Sequence, residues 1–172
     1  MSGFDLEKLP KEVLLKCLRL YSNLFLAIDG FWYLAVKERF GDDVAIDRDL
    51  WVWGKYIKYE LKRITRLFEI EGDDVETLFK ALGVTPWAHN LEFEVDLKDK
   101  NWGVLKVRKC PTLTAIMKEG EGREKYFCKR VEQPMLEAYA KFFSPKISVR
   151  ALRIPPETIG SDVCCEWEFR KG

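Results

Sequence analysis

Apolar residues recur at three- and four-residue steps through the first half of the chain, which predicts amphipathic helices. The first helix is expected to begin near Pro10 and to end near Phe40 and Gly41, with Gly30 breaking or kinking it. Its apolar stripe, which is expected to pack into the core, consists of Val13, Leu14, Cys17, Leu18, Tyr21, Leu24, Phe25 and Ile28.

Two further helices are predicted before residue 86. The second is expected to begin after Asp47 or Asp49, because aspartate is a favoured N-cap residue. Its inward positions are Leu50, Trp53, Ile57, Leu61, Ile64 and Phe68. The third follows the acidic segment 71–74 and ends at Gly83, with Val75, Leu78, Phe79 and Leu82 facing inward.

The period shifts towards two from residue 90 onwards, which favours strands. Residues 91–97 and 101–110 predict a hairpin, and residues 147–154 and 162–169 predict two more strands. Helices are expected over 111–118 and 131–143, each with a proline in its first turn. The order α-α-α-β-β-α-α-β-β predicts an α+β fold. Residues 1–172 are expected to form one domain, with a helical half (1–86) packed on a small antiparallel sheet (87–172).

Composition excludes several classes of function. The 172 residues carry 29 Lys plus Arg and 28 Asp plus Glu, for a net charge of +1. A nucleic-acid partner is not expected, because such proteins carry a basic surplus that neutralises phosphates. The most hydrophobic stretch, 24–36, contains Asp29 and is too short to cross a bilayer, so no membrane partner is expected. A polar N-terminus without a signal peptide favours the cytoplasm.

Five cysteines stand beside a single histidine, so histidine-centred catalytic and zinc sites are nearly excluded. Cys17 lies on the apolar helical stripe and is expected in the core. The other four, all in the last 63 residues, allow three interpretations: small buried residues, a reactive thiol, or thiolate ligands. Zinc or an iron–sulfur cluster is the cofactor that a thiolate site would hold. The candidate metal ligands are Cys110, Cys128, Cys164 and Cys165.

The final strand separates two of these thiols. Neighbouring residues of a strand face opposite sides, so Cys164 and Cys165 are not expected in one site without a bulge. Cys165 shares a face with Val163, Trp167 and Phe169, which makes it the thiol on the core side. Cys165 and Cys110 are therefore the candidate catalytic thiols.

Asp29 is the one charged residue in its apolar run. A buried carboxylate must be paired, protonated or placed at a cavity. Asp29 is therefore either the cap of a helix that starts after a break at Gly30 or a catalytic or binding group in a ligand cavity. Aromatic side chains could line such a cavity between the two long helices or could simply fill the core. The candidate binding residues here are Trp32, Tyr56 and Glu60, near Trp51, Trp53 and Tyr59.

Four segments carry a resemblance to known families: LAIDGFWYLAVKERFG (26–41), CP (110–111), FCKRV (127–131) and DVCCEWEF (162–169). Over most of its length the chain resembles a family of uncharacterised prokaryotic proteins. Its rear half is similar, more distantly, to the L-2-amino-thiazoline-4-carboxylic acid hydrolase family, although GSDVCC (160–165) has Ser161 inserted. The rear half also resembles the 4-vinyl reductase ligand-binding domain.

The resemblance implies a small-molecule site between helices and sheet, with Cys110, Cys128, Cys165 and Asp162 near it. It supplies no activity. We therefore expect a protein that binds a small molecule, with two alternatives: a hydrolase of a cyclic C–N bond in a small carboxylated substrate, or a thiolate metal-binding protein. A homodimer is also expected, because the front helices carry more aromatics than one small core needs.

Overall fold

The computed structural model describes residues 5–172 and shows an α+β fold. Short 3₁₀ turns at Leu6–Lys8, Trp87–Asn90 and Arg123–Lys125 supplement the main elements. The predicted order of helices and strands is confirmed. The main elements are α1 (Lys11–Phe40), α2 (Asp42–Leu67), α3 (Val75–Leu82), β1 (Glu92–Asp99), β2 (Trp102–Lys109), α4 (Pro111–Glu119), α5 (Gln133–Phe143), β3 (Ile147–Arg153) and β4 (Cys165–Lys171).

The strands form one antiparallel sheet in the order β1-β2-β4-β3. Leu105 on β2 lies opposite Trp167 on β4, and Val107 lies opposite Cys165. These alternate residues are buried, so one face of the sheet packs against α3 and α5. The prediction that Cys165 lies on the core side of its strand is confirmed. The predicted start of this strand at residue 162 is wrong, because β4 begins at Cys165.

The two long helices meet at Gly41, which has a φ of 86°. Glycine tolerates this left-handed conformation, so the chain can turn without an intervening loop. The predicted break at Gly30 is wrong, since α1 continues through it. The prediction that α2 begins after Asp47 or Asp49 is also wrong. It begins at Asp42, and its early residues Ala45 and Ile46 are buried.

A wider, π-helical turn at Cys128–Glu132 precedes α5, where the sequence predicts ordinary helix from residue 131. Pro134 has no N–H to donate to the carbonyl one turn earlier, which favours the wider frame. Such turns occur often at functional sites. This one places Cys128, Val131 and Glu132 on the side that faces the sheet and α4.

Helix α1 packs on the rest of the chain along a narrow seam. Of its residues, Ser22 and Tyr33 are buried. Ser22 donates a hydrogen bond to the carbonyl of Pro86 and accepts one of 2.6 Å from Asn90. The stripe predicted to enter the core is instead largely exposed at Leu18, Tyr21, Leu24 and Ile28, and Cys17 is only partly buried. Among residues 5–172, no helix is both long and apolar enough to pass through a membrane.

Candidate functional site

A chamber of about 90 Å³ lies between α1, α2, α4 and α5 and the buried face of the sheet. Thirteen of the residues lining it are apolar or aromatic: Leu26, Trp53, Trp87, Leu91, Leu105, Val107, Leu113, Ile116, Phe127, Val131, Met135, Leu136 and Trp167. The remaining nine bring polar groups or thiols to the lining: Asp29, Asp49, Cys110, Thr112, Cys128, Glu132, Tyr139, Cys164 and Cys165. An apolar chamber with a few convergent polar groups is the usual form of a small-molecule site.

Four of the five cysteines line this chamber. Cys110 caps α4, where its Sγ accepts a 3.4 Å hydrogen bond from the backbone N–H of Leu113. Cys128 lies in the π-helical turn, and Cys165 opens β4. Cys164 and Cys165 both line the chamber, so the expectation that they would share a site only through a bulge is wrong. Cys164 precedes β4, so the alternation of a strand does not apply to it, and its thiol donates a 3.1 Å hydrogen bond to the carbonyl of Arg108.

Burial opposes the ionisation of three thiols of the chamber, those of Cys110, Cys128 and Cys165. Burial raises the pKa of Cys110 to about 12, and the nearby Glu132 adds to this rise. Burial raises the pKa of Cys128 and of Cys165 as well, again with a contribution from Glu132. A reactive cysteine needs a neighbouring positive charge or a helix N-terminus that lowers its pKa. Cys110 does lie at the N-terminus of α4, where the backbone N–H groups of Leu113 and Thr112 lower its pKa, but burial has the larger effect. For Cys128 and Cys165 burial is likewise the largest influence and raises the pKa.

Three carboxyl groups also line the chamber: Asp29 from α1, Asp49 from α2 and Glu132 from the π-helical turn. Burial raises the pKa of Asp29 to about 6, against an opposing interaction with Trp53. Burial, with the charges of Asp29 and Glu132, raises the pKa of Asp49 to about 7. Burial, with the charge of Asp29, raises the pKa of Glu132 to about 7. These groups titrate near neutrality as a coupled set.

Asp29 thus lies in the middle of α1 and faces the chamber, and its interpretation as a helix cap is wrong. Sequence reasoning missed Asp49, which it treated as an N-cap, and Glu132. A signal existed for both. Asp49 lies four residues before the inward Trp53, and Glu132 lies four residues after Cys128, so helical periodicity places each on a buried face.

A network of hydrogen bonds supports the wall of the chamber. The indole N–H of Trp87 donates to the hydroxyl of Tyr139 over 2.7 Å, and this hydroxyl donates to Oε2 of Glu60 over 2.6 Å. The hydroxyl of Tyr56 donates to Oε1 of Glu60 over 3.0 Å. Glu60 and Tyr56, predicted as ligand-binding residues, therefore lie behind the chamber, where they hold Tyr139 in place.

Two other candidates lie outside the chamber. Trp32 is 69% exposed and borders a surface groove between α1 and α2. Asp162 is exposed and forms an ion pair with Arg108 at 3.1 Å. The rim of the chamber is instead a cleft of about 280 Å³ between α1 and α4, which shares Asp29, Asp49 and Thr112 with the chamber lining. The shared residues show that this cleft adjoins the chamber.

The donor groups of the described residues do not form a metal site. Within the part of the chain from residue 5 onwards, no group of three His, Cys, Asp or Glu side chains is arranged to hold a metal ion. Zinc binds thiolates, whereas burial and Glu132 keep Cys110, Cys128 and Cys165 protonated. Shared lining of a chamber thus does not amount to a tetrahedral thiolate site, and the metal-binding interpretation gains no support.

Comparison with known proteins places the chain without assigning an activity. The model of a family described as a family of unknown function, DUF6125, matches residues 7–171. No curated protein and no solved structure matches the chain.

Proposed function

The chain belongs to the DUF6125 family, and we propose that it binds a small organic molecule in the chamber between its helices and its sheet. The observation that carries this proposal is the convergence of seven ionisable side chains on one largely apolar space. Four thiols and three carboxyls reach it from α1, α2, the π-helical turn and the segments that flank the sheet. A neutral thiol costs little to bury, whereas a carboxyl group is costly, so a purely structural core would not gather three carboxyls around one apolar space.

The size of the chamber limits the ligand. A cavity of about 150 Å³ with apolar walls accommodates benzene. The chamber offers about 90 Å³, so a ligand that it encloses completely is smaller than benzene. A longer ligand can extend into the adjoining cleft past Asp29 and Thr112. The proposal therefore concerns molecules of about four to eight non-hydrogen atoms, of which the larger would extend from the chamber into the cleft.

The hydrolase alternative stays a prediction. Its nucleophile would be Cys110 or Cys165, and a thiol attacks as the thiolate. Burial raises the pKa of both groups, and Glu132 opposes their ionisation. Binding in the chamber requires no such ionisation, so the observed environment favours binding over catalysis by a thiol.

The five cysteines bear on the compartment. All five are free thiols. Free thiols persist in reducing compartments, where disulfides are rare. We therefore place this binding function in the cytoplasm as part of the same proposal.

Titration with a small neutral probe tests the proposal. When isobutanol is added, methyl NMR should show shifts in the signals of chamber residues such as Leu105, Val131 and Leu136. Bound isobutanol should also raise the melting temperature of the protein. Thr112→Phe narrows the chamber and should weaken binding. Thr114→Phe is the matched control, because Thr114 lies two residues further along α4 and is exposed.

The outcome is decided by three probes of the same shape: isobutanol, isobutylamine and isobutyrate. Binding of any one of them to the wild type, weakened in Thr112→Phe and retained in Thr114→Phe, supports the chamber as a small-molecule site. Failure of all three at millimolar concentration overturns the proposed function.

A further inference from the structure

Resting on the proposed function, we infer that the chamber selects an organic cation, a small ammonium or amidinium compound with an apolar body. Apolar walls alone leave the charge of the ligand open. Three features of the lining favour a cation: the sign of its charges, the surroundings of Glu132 and the placement of its aromatic rings.

The charges of the lining have one sign. Asp29, Asp49 and Glu132 contribute three carboxyl groups, whereas no Lys, Arg or His belongs to the lining as far as the described residues show. Arg123 lies in the adjoining cleft, but its guanidinium donates two hydrogen bonds of 2.8 and 2.6 Å to Glu119. That pair carries no net charge, and of the three carboxyl groups Asp49 is the one whose pKa Arg123 lowers. A cation entering the chamber therefore meets partly ionised carboxyl groups with no cation beside them among the described lining residues, and an anion meets repulsion.

Of the three carboxyl groups, Glu132 is the one that has neither a hydrogen bond nor an opposite charge beside it among the described residues. The Glu132 side chain is partly buried, and the influences on its carboxyl group are burial and the like charge of Asp29. The same carboxyl group lines the chamber. A buried carboxylate normally has a partner, because its desolvation is otherwise uncompensated. An N–H donor on a bound ammonium or amidinium would supply that partner through a charge-assisted hydrogen bond.

The aromatic walls suit the same ligand. Trp53 lines the chamber from α2, and Trp87 lines it from the 3₁₀ turn Trp87–Asn90. The Trp87 indole is held by its hydrogen bond to Tyr139. The faces of indole rings attract cations, and tryptophan is the strongest of the aromatic residues in this respect. The walls therefore accept both the apolar body and the positive charge of the ligand.

Binding of a cation has a consequence that binding of a neutral molecule lacks. The carboxyl groups are partly protonated near neutral pH, since burial raises the pKa of Asp49 and of Glu132 to about 7. A bound cation favours their ionised form, so protons are released into the buffer on binding. Calorimetry in two buffers with different enthalpies of ionisation measures this release directly.

The test compares isobutylamine, isobutanol and isobutyrate, which share one apolar body and differ in charge. At about pH 7, isobutylammonium is expected to bind at least about tenfold more tightly than isobutanol, with proton release, and isobutyrate is expected not to bind. Isobutanol binding without a preference for isobutylammonium overturns the inference and leaves the proposed function intact. Failure of all three overturns the proposed function itself.

Two variants locate the preference. Glu132→Gln and Asp49→Asn should each reduce the advantage of isobutylammonium over isobutanol at least about threefold, while isobutanol binding persists. Asp47→Asn is the matched control, because Asp47 lies two residues before Asp49 on α2 and is exposed. If Glu132→Gln does not fold, Asp49→Asn and the calorimetry of the wild type decide the question. An unchanged preference in Asp49→Asn, without proton release in the wild type, overturns the inference.

Discussion

The hydroxyl of Tyr139 donates a 2.6 Å hydrogen bond to Oε2 of Glu60, and both side chains are buried. Tyr56 donates to the other oxygen of the same carboxylate, and Trp87 donates to the Tyr139 hydroxyl. Burial raises the pKa of Glu60, whereas the two tyrosine donors lower it. The network thus satisfies a buried carboxyl group and fixes two aromatic side chains of the chamber, Trp87 and Tyr139.

Tyr139→Phe is expected to destabilise the protein by about 1–3 kcal/mol, because it removes a donor from Glu60 and the acceptor of the Trp87 indole N–H. Urea denaturation at neutral pH measures this loss. Tyr56→Phe is the matched comparison. It removes the other donor to Glu60 at a partly buried position and should cost less. Equal stability of Tyr139→Phe and the wild type would contradict the role assigned to this network.

The carboxyl groups of the chamber predict how stability depends on pH. In Asp29, Asp49 and Glu132 the pKa of the folded state is raised from ordinary values of 3.8 for aspartate and 4.5 for glutamate to about 6, 7 and 7. Between these limits the folded state holds more protons than the unfolded state. The free energy of unfolding should therefore fall as the pH rises from about 4 to about 7. Below about pH 4, protonation of Asp74 and Glu119 acts in the opposite direction, since hydrogen bonds from Thr77 and Arg123 lower their pKa values.

Asp49→Asn tests this assignment. It should stabilise the protein at about pH 7.5, by on the order of 1–2 kcal/mol once solvent in the chamber is allowed for, and should have little effect at about pH 4. Denaturation at both pH values measures the difference. Asp47→Asn, at an exposed position of the same helix, should match the wild type throughout. Destabilisation of Asp49→Asn at the higher pH would show that the charged form of Asp49 supports the fold.

Alkylation tests the protonated state of the thiols. Cys128 and Cys165 are buried, and burial raises the pKa of each, so iodoacetamide should modify them slowly at neutral pH. Peptide mapping by mass spectrometry identifies the modified sites, and the same reaction in urea should label all five cysteines. Rapid modification of Cys165 in the folded protein would contradict this environment and would favour the hydrolase alternative.

Local patterns predicted much of the fold. The alternation around Val95 and Leu105 predicted the hairpin, and the alternation of Cys165 and Trp167 predicted the buried face of β4. The boundary between α1 and α2 was missed, because a single residue, Gly41, makes a turn that usually takes several. Asp49 was misplaced by the same error, since a residue within a helix was interpreted as its cap.

The chamber depends on contacts between distant segments, which a single sequence does not reveal. The resemblance to known families implied that Cys110 and Cys128 would lie near one site. The neighbourhood of Glu132 required the π-helical turn, and the position of Cys164 required the true start of β4. Each of these depends on where a turn or a strand begins to within a few residues, which periodicity does not resolve.

The homodimer expected from the aromatic content of the front helices stays a prediction, and α1 locates its interface. A stripe of exposed apolar residues runs along α1 at three- and four-residue steps: Leu18, Tyr21, Leu24, Ile28 and Phe31, with Trp32 four residues after Ile28. Each of these side chains is more than half exposed. A helix of 30 residues is about 45 Å long, and with a width of about 10 Å its face covers on the order of 450 Å². A stable interface buries roughly 800 Å² per partner, which is more than this face alone provides. The exposed side chains of Trp51 and Tyr59 on α2 add apolar surface to it.

A second copy fits this face, because an apolar stripe is complementary to itself across a two-fold axis. Light scattering should give twice the chain mass of 20.2 kDa. Ile28→Glu places a charge in the centre of the stripe and should halve that mass without unfolding the chain, since Ile28 is exposed in the single copy. Ile159→Glu, at an exposed position away from α1, should leave the mass unchanged. A wild type with the mass of a single chain would contradict the dimer.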